Sequence, residues 1–171
     1  MKKLLDRVFA ARQSSDRQPP VFLKVAPDLD ESEIDEISSV IASSQLDGAM
    51  VSNTTLSRTG VESHKNSNET GGLSGAPLFQ RSTKILAQFR QRLPKTLPLI
   101  GIGGVGCAET AWEKLAAGAS LVQLYSCMVY EGPNLASSIN KGLLERMKRE
   151  NIGELSQIID TKTDEWAAKE I

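Results

Sequence analysis

The sequence predicts a parallel α/β fold in which a leading helix is followed by four β/α units. Four short runs, VFLKVAP (21–27), GAMVSNTT (48–55), LPLIGIGG (97–104) and SLVQLYS (120–126), are close to continuously hydrophobic. Strands lack alternation in this way when both faces are covered, as in a parallel sheet. Segments of helical periodicity fall between the runs, and that alternation implies parallel strands joined by helical crossovers.

Each element has a local reason. The opening MKKLLDRVFAARQSSDRQ carries basic residues but no long apolar stretch, and it reads as an amphipathic helix rather than a secretory leader. After the first strand, Asp28 or Asp30 is placed to cap a helix with Ile34, Ile37, Val40 and Ile41 on one side. Leu78, Ile85, Leu86 and Phe89 mark a helix before the third strand. AETAWEKLAAGA is shorter, with Trp112, Leu115 and Ala116 on one face and Gly118 as its C-terminal cap. Past the last strand, Ile139, Leu143 and Met147 recur at a spacing of four, and the tail IGELSQIIDTKTDEW adds one short helix that frays into polar residues. One connection departs from the pattern. Residues 56–77 form a long stretch rich in Ser, Asn, Thr and Gly without periodicity, and such loops are usually binding loops or lids.

Length and composition fit one soluble globular domain: 171 residues, 40% hydrophobic and 24% charged. A net charge of −1 favours neither nucleic acid nor an anionic membrane surface, and 5% aromatic content weakens any base-stacking role. No apolar run is long enough to cross a bilayer. Cys107 and Cys127 lack metal-type spacing and read as reduced thiols.

In parallel α/β folds ligands bind at the carboxyl ends of the strands, and the unusual residues collect there. Gly101, Gly103, Gly104 and Gly106 surround the end of the third run, and Tyr125 and Ser126 end the fourth. Glycine brings bare backbone close to a ligand, and its N–H groups serve an anion. Glycines also make tight turns, but the polar strand end one unit later favours a phosphate cup. Lys24 lies inside an otherwise apolar strand, on the face shared with Phe22 and Ala26. It either meets an anion or electron-rich ligand or snorkels to water. Asn53, Thr54 and Thr55 end the second run with donors and acceptors that suit a neutral amide or carboxylate, or simply a turn. GGLSG (71–75) is either a second backbone nest or a hinge. His64, the only histidine, sits in the polar loop as an ordinary solvated residue, so neither a Ser-His-Asp set nor a metal-ligand cluster is expected.

Five motifs, FLKVAPDLD, VSNTT, ETGGLSGAPL, IGIGGV and AGASLVQLYS, stand in the order and spacing found in class 2 dihydroorotate dehydrogenases, and the chain resembles that family from about residue 20 to 150. These are flavin mononucleotide enzymes of pyrimidine synthesis that pass electrons to a quinone. The resemblance implies the C-terminal half, four strands, of a TIM (β/α)8 barrel, with residues 1–171 belonging to that barrel domain and 56–77 forming a substrate-side loop. It implies that Lys24 lies against the flavin ring near N1 and O2 and that Ser52 touches the flavin. Gly75, Gly104, Tyr125 and Ser126 would bind the flavin's phosphate end, with Ser74, Ile102 and Gly103 close by. Asn53 and Thr54 would hold the pyrimidine and carboxylate of dihydroorotate or orotate.

The family's full barrel needs roughly 250 residues. The resemblance implies that the general base, a serine in the family, lies in the N-terminal half, and Ser52, Ser57 and Ser74 match other motif positions and offer no replacement. The chain alone is expected to be inactive and to assemble with a complementary half-barrel or with itself, since open strand edges need covering. By the same resemblance, the intact enzyme would work at the mitochondrial inner membrane in a eukaryote or the cytoplasmic membrane in a bacterium. Two other readings compete: a non-catalytic half-barrel that assembles with a partner chain, and another phosphate-binding barrel enzyme such as a sugar-phosphate isomerase.

Overall fold

A computed structural model describes all residues, Met1–Ile171. The elements run α1 (Lys2–Gln13), β1 (Phe22–Val25), α2 (Glu31–Ala42), β2 (Gly48–Val51), α3 (Phe79–Arg92), β3 (Leu99–Ile102), α4 (Ala108–Ala116), β4 (Leu121–Gln123), α5 (Ser126–Glu131), α6 (Leu135–Arg149) and α7 (Thr163–Ala167), with single 3₁₀ turns at Ala76–Leu78 and Leu155–Gln157. The four strands form one parallel sheet in the order β1-β2-β3-β4. Each strand therefore lies beside the next in sequence, and all carboxyl ends meet at one edge.

Register decides what each strand offers. Val25, Val51, Gly101 and Val122 form one row across the sheet. The first three are buried under the helices. There Val25, Ala49, Val51 and Leu99 pack with Ile34 and Ile41 of α2 and with Leu86 and Phe89 of α3. A second core joins Trp112 and Leu115 of α4 to Ile139 and Leu143 of α6. The adjacent row holds Lys24, Met50, Ile100 and Leu121. None of these is buried, and Leu121 is 60% exposed. The expectation that both faces of the sheet are covered is thus corrected: helices cover one face, and the other face is apolar but open.

The strands also stop earlier than the apolar runs. After β3 the chain enters Gly103 and Gly104 with φ of +105° and +70°, so the ladder has no partner for the end of the fourth run. Tyr125 and Ser126 lie beyond β4, and Ser126 opens the separate short helix α5. After β2, Thr55 leaves the parallel ladder to form an antiparallel bridge with Leu73, which closes loop 56–77 on itself. Arg58 fastens that loop by donating to the carbonyls of Leu56, Ser67, Glu69 and Gly71.

Of the two proposed caps for α2, Asp30 is the one used. It accepts from the Glu33 N–H while the Glu33 carboxylate accepts from the Asp30 N–H, both at 2.9 Å. The tail forms the expected short helix and is docked as far as Trp166, with only 168–171 exposed and irregular beyond α7. Ile158 and Trp166 are buried, and the Trp166 ring meets Phe79 edge-on at 5.8 Å. The Trp166 indole N–H donates to Glu113 at 3.0 Å and the Lys162 ammonium to the same carboxylate at 2.8 Å. Burying an indole with its N–H satisfied accounts for the docking of so polar a segment.

Candidate functional site

A cleft of about 580 Å³ opens at the carboxyl ends of the strands, a size suited to a cofactor-sized ligand. It gathers the residues expected to contact flavin or substrate, Lys24, Ser52, Asn53, Thr54, Ser74, Gly75, Ile102, Gly103, Gly104, Tyr125 and Ser126, whereas Thr55 and Gly101, also noted at strand ends, do not line it.

The β3–α4 turn forms its floor. A Cβ on Gly104 would stand 2.4 Å from Phe79 Cβ and one on Gly103 2.6 Å from Ser82 Oγ, so only glycine lets this turn lie flat on α3. The N–H groups of Gly103, Gly104, Tyr125 and Ser126 donate to no acceptor within the protein. Free donors on two successive strand ends form a binding surface for an anion. The Ser126 hydroxyl meets that of Ser74 at 2.9 Å, which ties the end of the long loop to this donor set.

The β1–β2 side is different. Lys24 is exposed on the open row of the sheet, and none of the protein's ion pairs involves it. Past β2, Ser52 N–H donates to Ile102 O at 3.3 Å and Asn53 N–H to Val25 O at 2.8 Å, which fixes the backbone. Ser52 is buried, and its hydroxyl donates to Asn53 O at 2.9 Å. Thr55 donates to Asp28, whose other oxygen accepts from Leu56 N–H at 2.7 Å. Asn53 and Thr54, held between these anchors, are exposed to the cleft. Gly72 lies so close to Thr54 that a Cβ there would be 1.8 Å from its Oγ1, so the long loop packs directly on this side.

His64 belongs to a separate hollow within loop 56–77, beside Arg58 and Asn66. Sequence reasoning passed over four contributors. Cys127 and Tyr130, both from α5, also line the cleft. Lys114 and Ser82 lie behind the glycine turn and meet at 2.7 Å. No local signal marks Lys114, which follows Glu113 in AWEKLAAGA as a solvated helix lysine would.

Fold and cleft define a parallel β/α protein whose donors converge at the carboxyl ends of its strands. A family model described as Dihydroorotate dehydrogenase matches residues 1–147, and the chain belongs to that family. It is 52% identical over 98% of its length to a dihydroorotate dehydrogenase (quinone) of Rhizobium johnstonii. It is 49% identical over its whole length to one of Brucella melitensis. The chain spans about half the length of the curated relatives it matches, 48% in both cases. A crystal structure of DHODH in complex with ferulenol from Eimeria tenella superposes with a TM-score of 0.79 at 34% identity, covering 84% of this chain and 38% of that one. The four units are accordingly the C-terminal half of a (β/α)8 barrel.

Proposed function

We propose that these residues supply the flavin-phosphate, flavin-ring and orotate contacts of a quinone-dependent dihydroorotate dehydrogenase that is completed by a complementary half-barrel. The observation that carries this reading is the meeting, in one cleft, of four unpartnered N–H donors with an unpaired lysine. That donor set fits flavin mononucleotide, whose phosphate takes backbone donors and whose ring takes a cation. When bound, the flavin supplies the two-electron chemistry by which dihydroorotate becomes orotate.

The chain's own groups then have distinct tasks. Gly103, Gly104, Tyr125 and Ser126 hold the phosphate, with Ser74, Gly75 and Ile102 shaping its surroundings. Lys24 sets positive charge against the ring edge, and Ser52 lines the ring. Asn53 and Thr54 orient the pyrimidine and its carboxylate. No group in this half is assigned as the general base; the complementary half provides it.

A lipid-borne quinone as acceptor places the assembled enzyme at a membrane, the cytoplasmic membrane in a bacterium or the mitochondrial inner membrane in a eukaryote. No helix here is long and apolar enough to cross one. The open sheet face and the free edges of β1 and β4 also support a second reading, a half-barrel that associates without catalysis.

Mixing residues 1–171 with a complementary half and recording flavin absorbance, orotate binding and dihydroorotate oxidation tests both. Flavin capture with turnover supports the first reading. Assembly without flavin supports the second.

A further inference from the structure

Lys114 is fully buried in α4, at 0% exposure, and no carboxylate faces it. Burial pushes its pKa well below the ordinary lysine value. An unpaired ammonium at such depth is costly, and its contacts all concern one place. Its Nζ donates to Ser82 Oγ at 2.7 Å and to Ile102 O at 3.3 Å, and it stands 5.3 Å from the centroid of the Phe79 ring. Ser82 Oγ in turn reaches Gly103 O at 3.3 Å, sharing its hydrogen with Phe79 O at 3.2 Å. The Ile102 carbonyl, which also accepts from Ser52 N–H, and the Gly103 carbonyl are thus both engaged by the Lys114–Ser82 pair.

A trans peptide points its N–H opposite its C=O. The peptide that carries Ile102 O also carries the Gly103 N–H, and the one that carries Gly103 O carries the Gly104 N–H. Anchoring both oxygens on the buried side turns both N–H groups toward the cleft, where they find no acceptor in the protein. We propose that Lys114 is a positioning residue for the phosphate of the bound ligand. Acting through Ser82 and the Ile102 carbonyl, it aims the Gly103 and Gly104 donors at the anion they hold. This rests on the flavin-phosphate reading of the cleft, and it explains why a lysine without an acidic partner stands behind the glycine turn.

The test follows the backbone amide resonances of the chain, assembled with its complementary half, during titration with inorganic phosphate, flavin mononucleotide and riboflavin, in the parent protein, Lys114→Met and Ser82→Ala. In the parent, phosphate and flavin mononucleotide shift the Gly103 and Gly104 amides. In Lys114→Met the phosphate and flavin mononucleotide concentration for half-saturation rises about tenfold or more, read at any of the four amides, the Gly103 and Gly104 amides of the free protein are already displaced from their parent positions, and riboflavin binding is unchanged. Ser82→Ala gives the same pattern in milder form and carries the test if Lys114→Met does not fold. Half-saturation unchanged in both variants, an equal loss of riboflavin and flavin mononucleotide, or no phosphate response in the parent overturns the proposal. A lysine-dependent phosphate response without preference for flavin mononucleotide over riboflavin leaves the role of Lys114 standing and removes the flavin reading instead.

Discussion

Lys24 stands on an open row of the sheet with no acidic partner, so whatever occupies the cleft is what its charge serves. In the assembled enzyme, Lys24→Ala should slow flavin reduction by roughly 10²–10³-fold, the usual loss when one oriented electrostatic group is removed. Stopped-flow reduction at the parent rate with normal flavin content would count against the role. Asn53→Ala and Thr54→Ala should each weaken orotate about tenfold while flavin stays bound, because they follow β2 whereas the unpartnered N–H donors follow β3 and β4; an orotate titration reads this directly. Gly104→Ala should abolish phosphate retention, since the new Cβ meets Phe79 at 2.4 Å in a backbone with φ of +70°. These strand-end residues were legible in the sequence because polar or glycine residues ending apolar runs break the local pattern. Lys114 was not legible. Its meaning depends on a helix packing behind a turn formed elsewhere in the chain, and one-dimensional spacing does not carry that.

Among the elements, α7 departs most from what its sequence suggests. A five-residue helix, Thr163–Ala167, has too few hydrogen bonds to persist alone, and tertiary contact sustains it. Trp166→Ala should therefore destabilise the protein by about 3–5 kcal/mol, measured by urea denaturation. The same anchor is pH-sensitive. Burial raises the Glu113 carboxyl pKa, but hydrogen bonds from Lys162 and Trp166 outweigh it and hold the pKa below the ordinary value. The unfolded carboxyl then protonates at higher pH than the folded one. The contribution is complete above about pH 4.3 and is lost as pH falls through the lower folded value. Trp166 fluorescence should report undocking in that acid range, and Glu113→Gln should flatten the dependence. The longer helices were predictable from their apolar stripes. The tail was not, because its stability lies in one buried tryptophan rather than in a period.

For the molecule as a whole, the sheet ends at β1 and β4 with unpaired edges, and near β4 Tyr125, Val129 and Tyr130 are 74%, 67% and 86% exposed. Residues 1–171 alone should associate in solution and turn over no dihydroorotate, which sedimentation velocity and a dye-reduction assay will read. A monomer carrying one flavin per chain and oxidising dihydroorotate would refute the half-barrel argument. Parallel strands were legible at this scale through the β/α alternation, whereas their sequential order followed only from the resemblance to a barrel. The open face was not, since an apolar strand reads alike whether its cover is a helix or the opposite side of a barrel. The sequential order of the strands has a consequence for synthesis. Each strand finds its neighbour in the segment made just before it, so the sheet is able to grow in step with the ribosome without awaiting distant partners. α7 packs back on α3 past two intervening strands in sequence, and the Trp166–Phe79 contact is then expected to form late, on a sheet already assembled.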